Sequence, residues 1–390
     1  MQNNLPQNNH QLQLDGLPSR LSKSELTLWR YPKQAVHSPL QAWDNADILL
    51  AKTADKILAI DDAPKNLAII NDQFGAICCL LSDYNLDIYQ DSKIGRLATI
   101  ENLKNNQCAS VSQQFKNNLA ELNSLDLVLI KIPKNLDYLE GILAYLHQNA
   151  PEHCQVIASA KANHVNKSVV KLFNRYFNQV NVSLAEKKAR TINAQQKQKS
   201  PYSSFTPWLN WQTETGLQIT NAANVFSRSS LDIGAAFMLT HLPLAKDKTV
   251  IDLACGNGVL GLHLIEQQPS RLIFSDESFQ AIESAEKNVL KNHPDYYSNC
   301  QFVWQDCLSE QADESADLII CNPPFHQQHT ITTHIAQQMF SDALRVLKPT
   351  GELIIVGNRH LGYHKTLTDL FGQCSIVASN QKFVIIKATK

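Results

Sequence analysis

From Phe205 onward, short apolar runs alternate with amphipathic segments of helical period. Val250-Ile251-Asp252-Leu253, Leu272-Ile273-Phe274-Ser275, Phe302-Val303-Trp304-Gln305 and Ala316–Cys321 have strand length and little internal alternation. That is the signature of strands covered on both faces. Between the second and third, Phe279, Ile282, Ala285 and Val289 fall on one helical face. Two closing strands are expected at Ser375–Ala378 and Phe383–Lys387, joined near Asn380-Gln381. The alternation predicts an α/β unit with a mostly parallel sheet. The earlier half of the chain repeats the plan. Ala68–Gly75 lies over Thr249–Gly256, Tyr89-Gln90-Asp91-Ser92 over Phe274–Glu277, and Leu125–Lys134 over Ala316–Phe325. Both copies also lead into Asn/Lys-rich helix ends starting near Asn102 and Asn288.

Composition sets the boundaries. Residues 1–20 are polar and of low complexity, expected to be a disordered leader, and a first globular region spans 21–185. Residues 186–204 are rich in Lys and Gln, and Lys187, Lys188, Arg190, Lys197 and Lys199 face a single acid, Glu186. The stretch is expected to be a basic linker, either a solvated spacer or a contact for phosphates. The second globular region is 205–390. With 390 residues two domains are the prior expectation, and a formal charge of −1 means that any nucleic-acid surface must be local. Nine cysteines without a Cys-x-x-Cys pair suit a reducing compartment better than a disulfide framework. No basic-then-apolar leader and no membrane-length apolar run is present, so the expectation is a cytoplasmic protein without a membrane partner.

Two runs end in residues that carry chemistry. Val250–Leu253 passes into Ala254-Cys255-Gly256-Asn257-Gly258-Val259-Leu260-Gly261, a glycine turn opening a helix. The free N–H groups there suit a bound cofactor. Ala316–Cys321 ends in Asn322-Pro323-Pro324-Phe325: an amide, a backbone stiffened by prolines, and an aromatic face. Those parts can grip a planar amine and aim its nitrogen. The exocyclic amine of a nucleic-acid base is a poor nucleophile, because its lone pair is delocalised into the ring. The Asn322 side-chain oxygen and the Pro323 carbonyl can accept hydrogen bonds from both of its N–H groups, favouring a tetrahedral nitrogen. Phe325 offers a stacking face worth about 1–3 kcal/mol. No general base is demanded, because the nitrogen turns acidic only after it has formed its new bond. An ordinary β-turn is the plain alternative for Asn-Pro-Pro. His326, His329 and His334 lie nearby, but no acid or cysteine set completes a ligand cluster, so no metal is expected.

Together the two segments resemble an S-adenosylmethionine-dependent methyltransferase acting on an exocyclic amine. The glycine motif alone would equally open a dehydrogenase fold. Asp252 before the turn, where methyltransferases place an acid facing the methionine amine, and the later Asn-Pro-Pro-Phe group weigh against that. The resemblance assigns the turn residues Ala254, Cys255, Gly256 and Gly258 to the cofactor. It gives Asp276, with Glu277 beside it, the ribose hydroxyls, the plain alternative being a helix N-cap. Asp306 would take the adenine amine and the Cys307 backbone would meet the ring, the alternative being a turn aspartate. Phe226 and Arg228 lie in a segment resembling a lid, where they could cover the sulfonium and pair with an anion; a core Phe and a surface Arg are the alternatives.

Over nearly the whole chain the two halves resemble the paired guanine-N2 methyltransferases of bacterial ribosomal RNA. Leu26–Pro32, Ser38–Asp47 and Asn358-Arg359-His360-Leu361 are similar to their large-subunit branch. The resemblance implies two tandem Rossmann-like class I methyltransferase domains, each a seven-stranded mostly parallel sheet. The first is degenerate and docks RNA; the second is catalytic. Implied partners are S-adenosyl-L-methionine and large-subunit ribosomal RNA, naked or in an assembly intermediate, with the protein a monomer. In the first copy Asn71 aligns with Asp252, Ile77 with Gly258, and Lys131-Ile132-Pro133-Lys134 with Asn-Pro-Pro-Phe, which removes the chemistry. Small-subunit RNA, DNA adenine and protein glutamine remain as other substrates of the same tetrapeptide, and a non-catalytic RNA chaperone as another class.

Overall fold

The computed structural model describes residues 10–13, 25–33, 38–60, 66–108, 113–123, 125–199, 205–324 and 329–390. Two units, residues 1–206 and 207–390, are each built on a sheet of their own. The first unit begins with β1 (Gln11–Gln13), β2 (Glu25–Thr27), α1 (Asn45–Leu58), β3 (Asn66–Ile70), α2 (Ala76–Leu80), β4 (Asn85–Tyr89) and α3 (Lys93–Asn105). It continues through β5 (Gln113–Lys116), β6 (Leu127–Lys131), α4 (Leu136–Asn149), β7 (Gln155–Lys161), α5 (Lys167–Tyr176), β8 (Phe177–Val182) and β9 (Ala189–Lys197). The second unit opens with β10 (Leu209–Gln212), β11 (Gln218–Asn221), α6 (Ile233–Leu239), β12 (Thr249–Leu253), α7 (Val259–Ile265), β13 (Arg271–Asp276) and α8 (Phe279–Asn292). It closes with β14 (Cys300–Trp304), β15 (Ala316–Cys321), α9 (His329–Val346), β16 (Leu347–Asn358), α10 (Tyr363–Phe371), β17 (Gln373–Ser379) and β18 (Phe383–Thr389).

Both main sheets have seven strands in one topology, β5-β4-β3-β6-β7-β9-β8 and β14-β13-β12-β15-β16-β18-β17. Only β9 and β18 run antiparallel to their neighbours. Alternate side chains of the central strands feed two cores. In the second unit Val250, Phe274 and Ile320 pack with α7 and α8, while Ile251, Ile273 and Ile319 pack with α9 and α10. Burial on both faces explains the unbroken apolar runs.

The basic stretch is not a linker. Ala189–Lys197 forms β9, hydrogen-bonded between β7 and β8, with Ala189, Ile192 and Ala194 buried. Apart from Ile192 its buried positions are filled by Ala and Thr, so the run lacks a strand's usual hydrophobicity. Lys197 is committed within the unit, donating to the Ala150 carbonyl at 2.7 Å and pairing with Glu152. Part of the leader is ordered as well: β1 pairs with β2, Leu12 is buried and His10 stacks on Trp29 at 3.8 Å. The rest of that leader lies outside the described residues.

The two sheets also correct the alignment of the copies. Ile70 lies between Tyr89 and Ile130, as Leu253 lies between Ser275 and Cys321. Gly75 and Gly258 precede α2 and α7 with left-handed φ of 82° and 78°. Ser92 and Ser278 cap α3 and α8. Ile69 therefore stands at the Asp252 station, Asn71 at Ala254, Gln73 at Gly256 and Gln90 at Asp276. The first copy keeps the glycine that starts the helix; what it lacks is a carboxylate at the Asp252 and Asp276 stations, Asp72 one station on from Asn71 taking the Cys78 N–H at 2.8 Å instead. Lys131 does stand at the Asn322 station, each following the strand residue that pairs with the central strand. A shared clamp ties helix to hairpin in both copies. Asn106 exchanges hydrogen bonds with the Thr27 backbone, and Asn292 with that of Gln218. Asn102 and Asn288 reach across to the turn carbonyls of Phe74 and Asn257.

Candidate active site

The glycine turn leaves β12 in an unusual backbone path. Ala254, Gly256 and Gly258 all have left-handed φ, at 56°, 55° and 78°. A Cβ on Gly256 would meet nothing within 4 Å, so this is where the backbone faces open space. Gly258 is required for another reason: a Cβ there would lie 3.0 Å from both Ala285 and Phe274. Close packing of α7 against α8 and β13, rather than ligand approach, excludes a side chain at Gly258.

Asp276 holds the turn from the end of β13. Its Oδ2 accepts the Gly256 N–H at 2.9 Å and its Oδ1 the Ser278 N–H at 2.9 Å. Ser278 caps α8 through its own hydroxyl, so Asp276 is not the helix cap. Both carboxylate oxygens are thus fixed in place by the backbone.

Three further acceptors gather at the carboxyl ends of neighbouring strands. Asp252 is buried at 1% exposure, its Oδ2 taking the Gly261 N–H at 2.9 Å. Burial, with a smaller contribution from the Asp276 charge, pushes its carboxyl up to about 7 despite that bond. Asp306, just past β14, takes the Gln338 amide on Oδ2 at 2.8 Å. Asn322, just past β15, donates its Nδ2 to Asp232 at 3.1 Å. In each case the remaining polar atom, Oδ1, is buried with no hydrogen-bond partner. Buried polar atoms are nearly always paired, so three orphaned acceptors around one sheet edge mark a place made for donors. They flank the point where strand order reverses between β12 and β15, the usual ligand crevice of such sheets. The ammonium, hydroxyls and amine of S-adenosylmethionine are donors of the required kind, so these residues fit the cofactor.

The remaining sequence candidates fall as follows. Cys255 donates its N–H to the Ser275 carbonyl at 3.1 Å, and burial drives its thiol far above the usual range. Cys307 has φ 46° and its carbonyl accepts the Ser275 hydroxyl at 2.8 Å. Glu277 is exposed, its carbonyl accepting the Trp304 indole N–H. Phe226 is 56% exposed and Arg228 donates to the Pro207 carbonyl at 3.3 Å. Pro323 is buried and Pro324 exposed. Phe325 and His326 lie outside the described residues, as does the side chain of His329. Asp232 and Gln338 were not singled out in the sequence, although Asp before Ile233 is a legible helix start. Among the described residues no cluster of three or more His, Cys, Asp or Glu is placed to hold a metal. No helix among them is long and apolar enough to cross a membrane.

Comparison with known proteins gives the relatives of this chain. The chain matches the methyltransferase small domain over residues 216–387 and the RLMG N-terminal domain over residues 18–198. It is 42% identical to the ribosomal RNA large subunit methyltransferase G of Pseudoalteromonas atlantica, across 94% of this chain and 100% of that protein. With the protein of the same name from Aeromonas salmonicida it shares 45% identity, across 94% and 97% of the two chains. A solved structure of the T. thermophilus 16S rRNA N2 G1207 methyltransferase, in complex with AdoMet and guanosine, superposes with a TM-score of 0.70 over 89% of this chain and 92% of that one. At 18% identity that likeness establishes the shared two-unit fold.

Proposed function

This chain belongs to the ribosomal RNA large subunit methyltransferase G family, and we propose that it methylates the exocyclic N2 amine of one guanine in large-subunit ribosomal RNA. It is an S-adenosylmethionine-dependent methyltransferase, and the bound cofactor supplies an electrophilic methyl group on a sulfonium. Asp252 would hold the methionine amine, Asp276 the ribose and Asp306 the adenine amine. The observation that carries the proposal is the orphaned Oδ1 of Asn322 at the end of β15. That oxygen and the Pro323 carbonyl accept the two N–H bonds of the guanine amine and turn its lone pair outward. The bound cofactor would supply its methyl group to that nitrogen, leaving its sulfur as a neutral thioether, and the proton shed by the nitrogen would go to water. The base must be unpaired or flipped to reach the crevice.

The first unit lacks those acceptors and serves RNA docking in this proposal. Its support is a groove of about 470 Å³ between α5 and the β8–β9 pair, lined by Lys167, Lys171 and Arg190 with no acid among its walls. Arg190 Nε is buried there without a hydrogen-bond partner. The protein acts as a cytoplasmic monomer in this account. Asn322→Ala should reduce methyl transfer by at least about 10²–10³, the usual loss on removing one oriented partner, with cofactor affinity within a few-fold. Near wild-type turnover would remove Asn322 from the chemistry. Replacing Lys167, Lys171 and Arg190 together by Ala should weaken RNA binding. It should also flatten the log–log salt dependence by about 0.7–0.9 per lost phosphate contact, and an unchanged slope would move docking elsewhere.

A further inference from the structure

We infer that Asp232 is a positioning residue, whose carboxylate sets which face of the Asn322 amide looks into the crevice; the inference rests on the role proposed above for Asn322. Asp232 precedes α6 and its Oδ2 accepts two hydrogen bonds, the Ala235 N–H at 2.9 Å and the Asn322 Nδ2 at 3.1 Å. An ionised carboxylate can only accept, whereas an amide has a donor end and an acceptor end. With the carboxylate beside it, Asn322 must present its NH2 to Asp232. The reversed amide would set a carbonyl oxygen against a negatively charged one. The consequence is that Oδ1, the atom needed to accept from an amine, is the end left over, and it is the orphaned one. Gly234 makes the approach feasible: a Cβ there would come within 3.0 Å of Asp232 Oδ2 and 3.4 Å of Asn322 Oδ1.

The first unit shows the same device with a different partner. Asp44 caps α1, and its Oδ1 takes Lys131 Nζ at 2.7 Å. Lys131 occupies the station of Asn322, so in both copies the aspartate that starts this helix grips the residue leaving the fourth strand of the fold. With a lysine there the grip closes an ion pair and presents no acceptor. With an asparagine it orients one.

Helix capping and amide positioning are separable by substitution. Asparagine caps a helix about as well as aspartate, but its side chain can donate as well as accept, so it no longer fixes the orientation of Asn322. Asp232→Asn should therefore melt within a degree or two of wild type and keep both cofactor Kd and the KM for RNA within about twofold. Its kcat should fall by about 10–100-fold, as when other outer-shell orienting partners are lost. Asp232→Ala should lose kcat and also melt earlier. Unchanged kcat in Asp232→Asn, with Asn322→Ala inactive, would overturn the inference and leave the role of Asn322 standing. Full activity in Asn322→Ala would overturn both.

Discussion

Asp276→Ala probes the cofactor half of the site. The wild-type carboxylate spends one position per oxygen on the backbone, at Gly256 and Ser278, both at 2.9 Å. The ribose of a bound cofactor would bring two hydroxyl donors to it. Each charge-assisted hydrogen bond contributes about 1.5–3 kcal/mol, so two contribute about 3–6 kcal/mol. Asp276 is partly exposed, and solvent competition favours the lower end, about 3 kcal/mol. At 1.4 kcal/mol per factor of ten, that predicts a rise in cofactor Kd of about a hundredfold. Titration calorimetry with S-adenosylmethionine measures it, and a melting curve checks that the glycine turn survives loss of its acceptor. The matching change in the first unit is Gln90→Ala, because Gln90 stands at the equivalent station. It should leave the Kd and the stoichiometry of one unchanged. A rise in Kd below threefold for Asp276→Ala would refute the ribose role, and two cofactors per chain would refute the degeneracy of the first unit.

Three other outcomes follow from single residues. Ala254 carries φ 56°, a conformation that costs a Cβ-bearing residue about 1–2 kcal/mol, so Ala254→Gly should stabilise the protein by about 1 kcal/mol in denaturant unfolding; a loss of stability would contradict that strain. Asp252 is held at about 7 by burial, and binding a cationic amine favours its charged form, so cofactor binding should release protons near pH 7 and weaken as pH drops from about 8 to about 6. Without cofactor the sign for folding is opposite to the usual carboxylate: the native state holds the proton more tightly, so the Asp252 contribution to stability is lost as pH rises from about 4 to about 7. Calorimetry in buffers of different ionisation enthalpy would detect the released protons, and their absence would exclude Asp252 as the amine's partner. Lys131→Met would leave Asp47, only 5% exposed, and Asp44 without their cation. The expected loss is about 3–5 kcal/mol, and one below about 1 kcal/mol in chemical denaturation would mean that the pair is not stabilising.

Much of this was legible because parallel strands covered on both faces advertise themselves. β12, β13, β14 and β15 were each marked by an apolar run, and the chemistry sat where those runs stopped, at the glycine turn and at Asn322. β9 was hidden because a strand needs only its inward positions to be apolar, and Ala and Thr filled several of them amid Lys and Gln. In the first copy side-chain identity points to the wrong register, matching Asn71 to Asp252. The conserved quantity is backbone path, which puts Asn71 and Ala254 at the same left-handed station. Asp232 was missed as a partner of Asn322 for a different reason. Local pattern shows that an aspartate can start a helix, but not that its second hydrogen bond spans 90 residues to the end of β15.

The most direct test is to incubate the purified full-length chain with methyl-labelled S-adenosylmethionine and unmodified large-subunit ribosomal RNA, digest the RNA, and identify the labelled nucleoside by mass spectrometry. The expected product is N2-methylguanosine at a single position, formed by the wild type and at least about 100-fold more slowly by Asn322→Ala. Label on adenine, on another atom of guanine, or at near wild-type rate on the RNA treated with Asn322→Ala would contradict the account at its centre.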